Sequence, residues 1–153
     1  MRKSMLCLCF HIGFLVSGCS QSKVSQCQQL LEVVSQGSVM IDKSKGFQVS
    51  TSLKLAQDLG NTSKSIKKLH LTDPQLQKFQ SDLGQNFAGL SHYIGKAAKS
   101  LSEVKKTSNS PSGQEKMRYA KRGIESSLTT AEAAGKQLDI LGNKLNKYCN
   151  PNK

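Results

Sequence analysis

Two long apolar stripes in the second half of the chain, parted by a single break, limit its possible folds more than any other feature. The first follows Leu76, Phe79, Leu83, Phe87, Leu90, Ile94, Ala97, Leu101 and Val104. The second follows Met117, Ala120, Ile124, Ser127, Ala131, Ala134, Leu138, Leu141, Leu145 and Tyr148. Steps of three and four put each set on one face of an α-helix. Between them, Thr107-Ser108-Asn109-Ser110-Pro111 breaks the helix, because short polar side chains bond their own backbone and proline lacks an N–H. If the two helices fold back about that break, facing residues share a constant sum of residue numbers. Val104/Met117, Leu101/Ala120, Ala97/Ile124, Ile94/Ser127, Leu90/Ala131, Phe87/Ala134, Leu83/Leu138 and Leu76/Leu145 all sum to 221. From Leu101 to Phe87 large residues face small ones, which allows close approach. Further along, large faces large, which calls for a thicker core and more helices.

The starts of these helices are also written in the chain. Asp73 before Pro74 is a capping residue followed by proline in the first turn, where a missing N–H costs nothing. Ser112 with Glu115 offers a capping box for the last helix. The additional helices come from residues 22–70. Val24, Cys27, Leu31, Val34, Ser38 and Ile41 define one face, and Val49, Leu53, Ala56, Leu59, Ser63, Ile66 and Leu69 another, with an interruption at Lys43–Gly46. A competing reading fuses these two into one long helix and gives three helices overall. The chain has no tryptophan and is 37% hydrophobic, so the core is expected to be long and thin.

The first residues carry a different message. Met1-Arg2-Lys3 precedes an apolar run from Met5 to Val16 that ends in small residues, the parts of a secretory signal. Residues 5–18 are too few to span a bilayer, which takes about 20 apolar residues. Val16-Ser17-Gly18-Cys19 resembles the lipobox of bacterial lipoproteins. The resemblance implies that the Cys19 thiol receives a diacylglyceryl group and that cleavage leaves this cysteine as the new N-terminus. It implies a cell-envelope protein held on a membrane by lipid and facing the periplasm or exterior. Ser20 stands where an aspartate often retains such proteins in the inner membrane, which leans towards the outer one. Residues 72–76 and 145–149 are similar to segments of small helical lipoproteins of bacterial envelopes. The expected organisation is a signal peptide over 1–18, a lipidated linker over 19–23, a helical bundle over 24–149 and a tail over 150–153.

Cysteine usage follows from that address. Of five cysteines, Cys7 and Cys9 leave with the signal and Cys19 takes lipid, so Cys27 and Cys149 remain. In an oxidising compartment two otherwise unused thiols pair; the alternative is two free thiols. A zinc site would need further ligands nearby, and none has suitable spacing. A Cys27–Cys149 bond also settles the helix count. In an up-down bundle, chain start and chain end share one end only when the number of helices is even. The expectation is therefore an all-α, up-down-up-down four-helix bundle, with a short first hairpin and a longer antiparallel coiled-coil second hairpin. The outer part of the long hairpin, around Ala97 and Ile124, should either project as a slender two-helix arm or lean over the top of the bundle.

The formal net charge is +12, and +10 once Arg2 and Lys3 depart with the signal. Export separates such a chain from nucleic acid despite that sign. Basic residues gather at both ends of the expected bundle. Lys96, Lys99, Lys105, Lys106, Lys116, Arg118, Lys121 and Arg122 crowd the far tip, against Glu103 and Glu115. Lys23, Lys64, Lys67, Lys68, Lys144, Lys147 and Lys153 fall at the lipidated end. Lys105, Lys106, Lys116, Arg118, Lys121 and Arg122 are the candidate partner-binding residues, for an anionic envelope polymer or an acidic protein. The plainer reading is a solvated face that keeps a thin monomer soluble. No catalytic constellation is visible: His70 and His92 lack nearby ligands, acidic residues are scattered singly, and no base accompanies the serines. Neither a metal nor a cofactor is expected, and the chain reads as a non-enzymatic binding or structural module. A rival reading is a carrier of a small apolar ligand, in space left among Ser63, Ser127 and Ala131. Phe79, Phe87 and Tyr148 read as core, and Tyr93 and Tyr119 as surface.

Overall fold

The computed structural model describes residues 22–44, 48–107 and 110–151. These form four helices: α1 (Lys23–Lys43), α2 (Val49–Lys67), α3 (Pro74–Lys106) and α4 (Pro111–Cys149). No strand occurs among the described residues. The leader, Cys19 and Lys153 lie outside them. The break between the first two helices falls where residues 43–46 placed it, so the fused reading is excluded.

Local chemistry explains where each helix begins. Asp73 Oδ1 accepts a hydrogen bond from Leu76 N at 2.9 Å, and Pro74 follows as the first helical residue. Ser22 Oγ does the same for Ser25 N at 3.2 Å at the start of α1. The start of α4 differs from the expected Ser112/Glu115 box. Ser110 is the cap, its Oγ accepting from Gly113 N at 3.1 Å, and Pro111 takes the first position. Proline fixes φ near the helical value and needs no donor there, so the helix starts two residues early.

The helices alternate in direction. α3 packs along both α2 and α4, and α1 closes the bundle against the other three. At the base, Cys27 and Cys149 sulfurs are bonded at 2.08 Å with Cα atoms 5.7 Å apart. The α3–α4 register is the one read from the sequence: the Tyr148 hydroxyl donates to the Asp73 carboxylate at 2.9 and 3.0 Å, a pair that also sums to 221. Towards the other end, a Cβ on Gly123 would lie 3.7 Å from Ser100 Oγ, a pair only two away from that sum.

The core runs from Cys27 to Leu145, with Leu30, Leu59, Ile66, Leu76, Leu83, Phe87 and Leu145 fully buried. The segment thus carries its own core. α1 is rotated relative to expectation. Its buried face is Cys27, Leu30, Val34 and Gly37, while Val24 is 66% exposed and Ser38 faces solvent. Both stripes have helical spacing; tertiary packing chooses between them. The Phe87 ring fills the space where a side chain at position 37 would stand, so glycine alone fits there. In α2, Leu53 is 37% exposed and Thr62 joins Ser63 in the interior.

α2 also reaches further along α3 than expected. Ser91 Oγ donates to Ala56 O at 2.6 Å, and a Cβ on Gly95 would touch Ala56 Cβ at 3.4 Å. Ala97 and Ala98 are consequently buried, at 6% and 3% exposure. The two-helix arm therefore begins near Leu101 rather than at Ala97. Half-buried Leu101, Val104, Met117 and Ala120 form its seam, and half-buried Ile124 lies just below it. At about 1.5 Å per residue, the 33 residues of α3 extend about 50 Å and the 21 of α1 about 32 Å.

Candidate functional site

Two charged regions stand at opposite ends of this rod. At the arm, Lys105, Lys106, Lys116, Arg118, Lys121 and Arg122 are all exposed. They do not form one cluster. Arg118, Lys121 and Arg122 occupy successive positions on one face of α4, where three- and four-residue steps align, and line a shallow hollow with Glu125. Lys106 and Lys116 line a second hollow between the helix ends, with Glu103, Thr107, Ser112 and Gly113. Lys106 lies 3.9 Å from Glu103 and Lys121 3.9 Å from Glu125, both pairs well exposed. Such pairs contribute little to stability and yield readily to a better anion. The Arg122 guanidinium lies 4.8 Å over the Tyr119 ring, which is 62% exposed. Stacking of this kind holds the planar guanidinium in place, where it can meet a carboxylate with two parallel hydrogen bonds.

Below the arm, α2 and α3 frame an open groove of about 480 Å³ over Leu53, Ala56 and Gly95, with His92, Lys96 and Lys99 along it. Basic character therefore continues from the arm down one side of the bundle. Tyr93, expected at the surface, instead packs partly against the core. Its ring meets His92 edge-on at 5.1 Å. His70 lies in the connection beyond Lys67 and is exposed.

The base is a closed polar network that sequence reasoning did not anticipate. Gln26, 2% exposed, accepts from Thr72 N at 2.7 Å and Asp73 N at 3.1 Å and donates to Thr72 Oγ1 at 2.9 Å. One amide side chain thus ties the start of α1 to the connection before α3. Gln80 Nε2 donates to Ile66 O at 2.7 Å and Leu69 O at 2.8 Å, and Gln77 Nε2 to Leu71 O at 2.8 Å. These glutamines add to the Leu69 N–H on the Ile66 carbonyl and pair the Leu69 and Leu71 carbonyls of the connection that follows α2. The Leu76 N–H holds the Asp73 carboxyl below the usual carboxylate range, helped by the Tyr148 hydroxyl, the Gln75 N–H and the Lys23 charge and opposed by partial burial. Lys23 Nζ lies 3.7 Å over the Tyr148 ring.

The small residues of the ligand-carrier reading draw helices together. Ser63 Oγ donates to Gly84 O at 2.7 Å, and Ser127 and Ala131 are 3% and 7% exposed. Among the described residues no group of three His, Cys, Asp or Glu is placed to hold a metal ion. Among them, too, no helix is long and apolar enough to cross a membrane. Comparison with protein-family models, curated proteins and solved structures yields no match.

Proposed function

We propose that this chain is a lipid-anchored, non-enzymatic envelope protein that presents a basic helical arm to an anionic partner. In this reading residues 1–18 are a cleaved signal, Cys19 carries the lipid, residues 19–23 are the tether and 24–149 the bundle, with 150–153 a short tail. The observation that carries it is the placement of charge. Lys105, Lys106, Lys116 and Arg118 sit exposed on the part of α3–α4 that extends beyond α1 and α2, with exposed Lys121 and Arg122 at its root, while the start of α1 lies at the opposite end. An arm about 50 Å from its anchor is far outside a Debye length of about 8 Å, so the charge of the membrane does not reach it. The partner is an acidic protein or an anionic envelope polymer, and the protein acts as a monomer.

Changing Lys105, Lys106, Arg118, Lys121 and Arg122 to Glu tests this directly. Crosslinking in intact cells should recover an acidic partner with the original protein and lose it with the variant. Unchanged recovery at low salt would remove the arm from the mechanism.

A further inference from the structure

The end of the bundle remote from the arm bears its own basic surface. Lys23 opens α1, Lys68 follows the last residue of α2, and Lys144 and Lys147 lie one turn apart near the end of α4. All four are exposed, and none stands within ion-pair distance of a carboxylate among the described residues. Asp73, the acid among the described residues at this end, already receives the Leu76 N–H and the Tyr148 hydroxyl. The Cys27–Cys149 bond and the Gln26 hydrogen bonds lock these helix ends into one rigid face. Val24 stands apolar and 66% exposed beside Lys23. Lys64 and Lys67 sit higher on the wall, the Lys67 stem running past Gly84, where an added Cβ would lie 3.3 Å from Lys67 Cγ.

From this arrangement we infer that the base of the bundle seats on an anionic phospholipid surface, which sets the arm pointing away from the membrane. The inference rests on the lipid-anchored reading for its tether. Cys19 is three residues before Ser22, the first described residue, so even a fully extended link is only about 11 Å long. Within that distance each lysine near an anionic surface is worth about 1 kcal/mol, a partition factor of about five, and Val24 can enter the headgroup layer. A lipid tether alone would leave the rod free to tilt. Four cations on one rigid face make upright seating the favoured state.

The test uses the chain from Cys19 onward, with the Cys27–Cys149 bond intact so that Cys19 is its one free thiol. Coupling Cys19 to a maleimide phospholipid places the protein on vesicles of phosphatidylcholine, with or without phosphatidylglycerol. Lysine acetylation is then followed residue by residue by mass spectrometry. Lys68, Lys144 and Lys147 should react about fivefold more slowly on the anionic vesicles, and Lys105 and Lys116 at unchanged rates. In about 1 M salt, where the Debye length is about 3 Å, the protection should vanish. K68Q/K144Q/K147Q should retain its helical signal yet lose protection at Lys23. Protection of the arm lysines instead, or equal rates on both vesicle types, would overturn the inference. Because coupling imposes the anchor, these outcomes are independent of whether cells acylate Cys19.

Discussion

Replacing Gly37 with alanine puts the described packing to a stringent test, because local propensity and tertiary contact predict opposite signs. In a helix interior alanine is favoured over glycine by about 1 kcal/mol. At position 37, however, the new Cβ would stand 2.6 Å from Phe87 Cε1, 2.7 Å from Phe87 Cζ and 2.9 Å from Thr62 Cγ2. Phe87 has no exposed surface and lies in the middle of the core, so its ring has no free direction in which to yield. Forcing an extra methyl into such a core costs about 1–3 kcal/mol, and complete obstruction of a ring belongs at the upper end. We therefore expect a net loss of about 1–2 kcal/mol, or a fall in Tm of about 4–8 °C. Gly142 in α4 is the control, since nothing lies within 4 Å of the place its added methyl would take, and Gly142→Ala should raise Tm by a few degrees. Circular dichroism at the helix band during heating reads both. Phe87→Leu should cost more in the parent than in Gly37→Ala, because shrinking the ring also relieves the clash. Equal stabilisation by Gly37→Ala and Gly142→Ala would refute the reasoning, since α1 could not then present Gly37 to Phe87.

Three further outcomes follow from other contacts. Removing the Cys27–Cys149 bond frees a loop with a sequence separation of 122, which in the chain-entropy treatment lowers stability by about 5 kcal/mol; urea unfolding of Cys27→Ser/Cys149→Ser should show most of that loss, and a change under about 1 kcal/mol would contradict it. The Asp73 carboxyl is held below its unfolded value, so its contribution is present above about pH 4 and disappears as pH falls through the lower folded value. Melting curves from neutral pH downwards should therefore decline less steeply for Asp73→Asn than for the parent, and parallel curves would exclude the Leu76 and Tyr148 bonds as the cause. Gln26→Leu removes the side-chain hydrogen bonds to Thr72 and Asp73 from a buried site, leaving the Thr72 and Asp73 N–H groups without that acceptor at a cost of about 1–3 kcal/mol each, and hydrogen exchange should quicken at those two amides before the rest of the base.

The legible parts of this fold were those fixed by periodicity and by short-range chemistry. The long hairpin could be paired because its stripes are uninterrupted, and Asp73/Tyr148 extends the same register by polar contact. Asp73-Pro74 gave the start of α3 because cap and proline act within one turn. Ser110-Pro111 was passed over for Ser112/Glu115 because both satisfy capping chemistry, and only the geometry of the turn selects between them. The rotation of α1 was hidden for a similar reason: Leu30 and Leu31 each fit a helical stripe, and the choice turns on the Phe87 ring, which meets α1 at Gly37 from 50 residues further along the chain. Gln26 was invisible because a glutamine beside a buried cysteine announces nothing until the α2–α3 connection arrives beside it. The arm was read slightly too long because the reach of α2 depends on Ser91, Gly95 and Ala56 meeting closely. The common end of the candidate binding residues was legible from charge clustering, whereas the division of Lys106, Lys116, Arg118, Lys121 and Arg122 between two hollows, with Lys105 in neither, depends on helical phase at the tip.

Intact-mass measurement of the protein extracted from the membranes of an expressing bacterium tests the central proposal most directly. The expected product is a chain beginning at Cys19, heavier by a diacylglyceryl group at least and lighter by the two hydrogens of the Cys27–Cys149 bond. A chain that retains residues 1–18, or one recovered from the cytosol with unmodified Cys19 and reduced thiols, would contradict it.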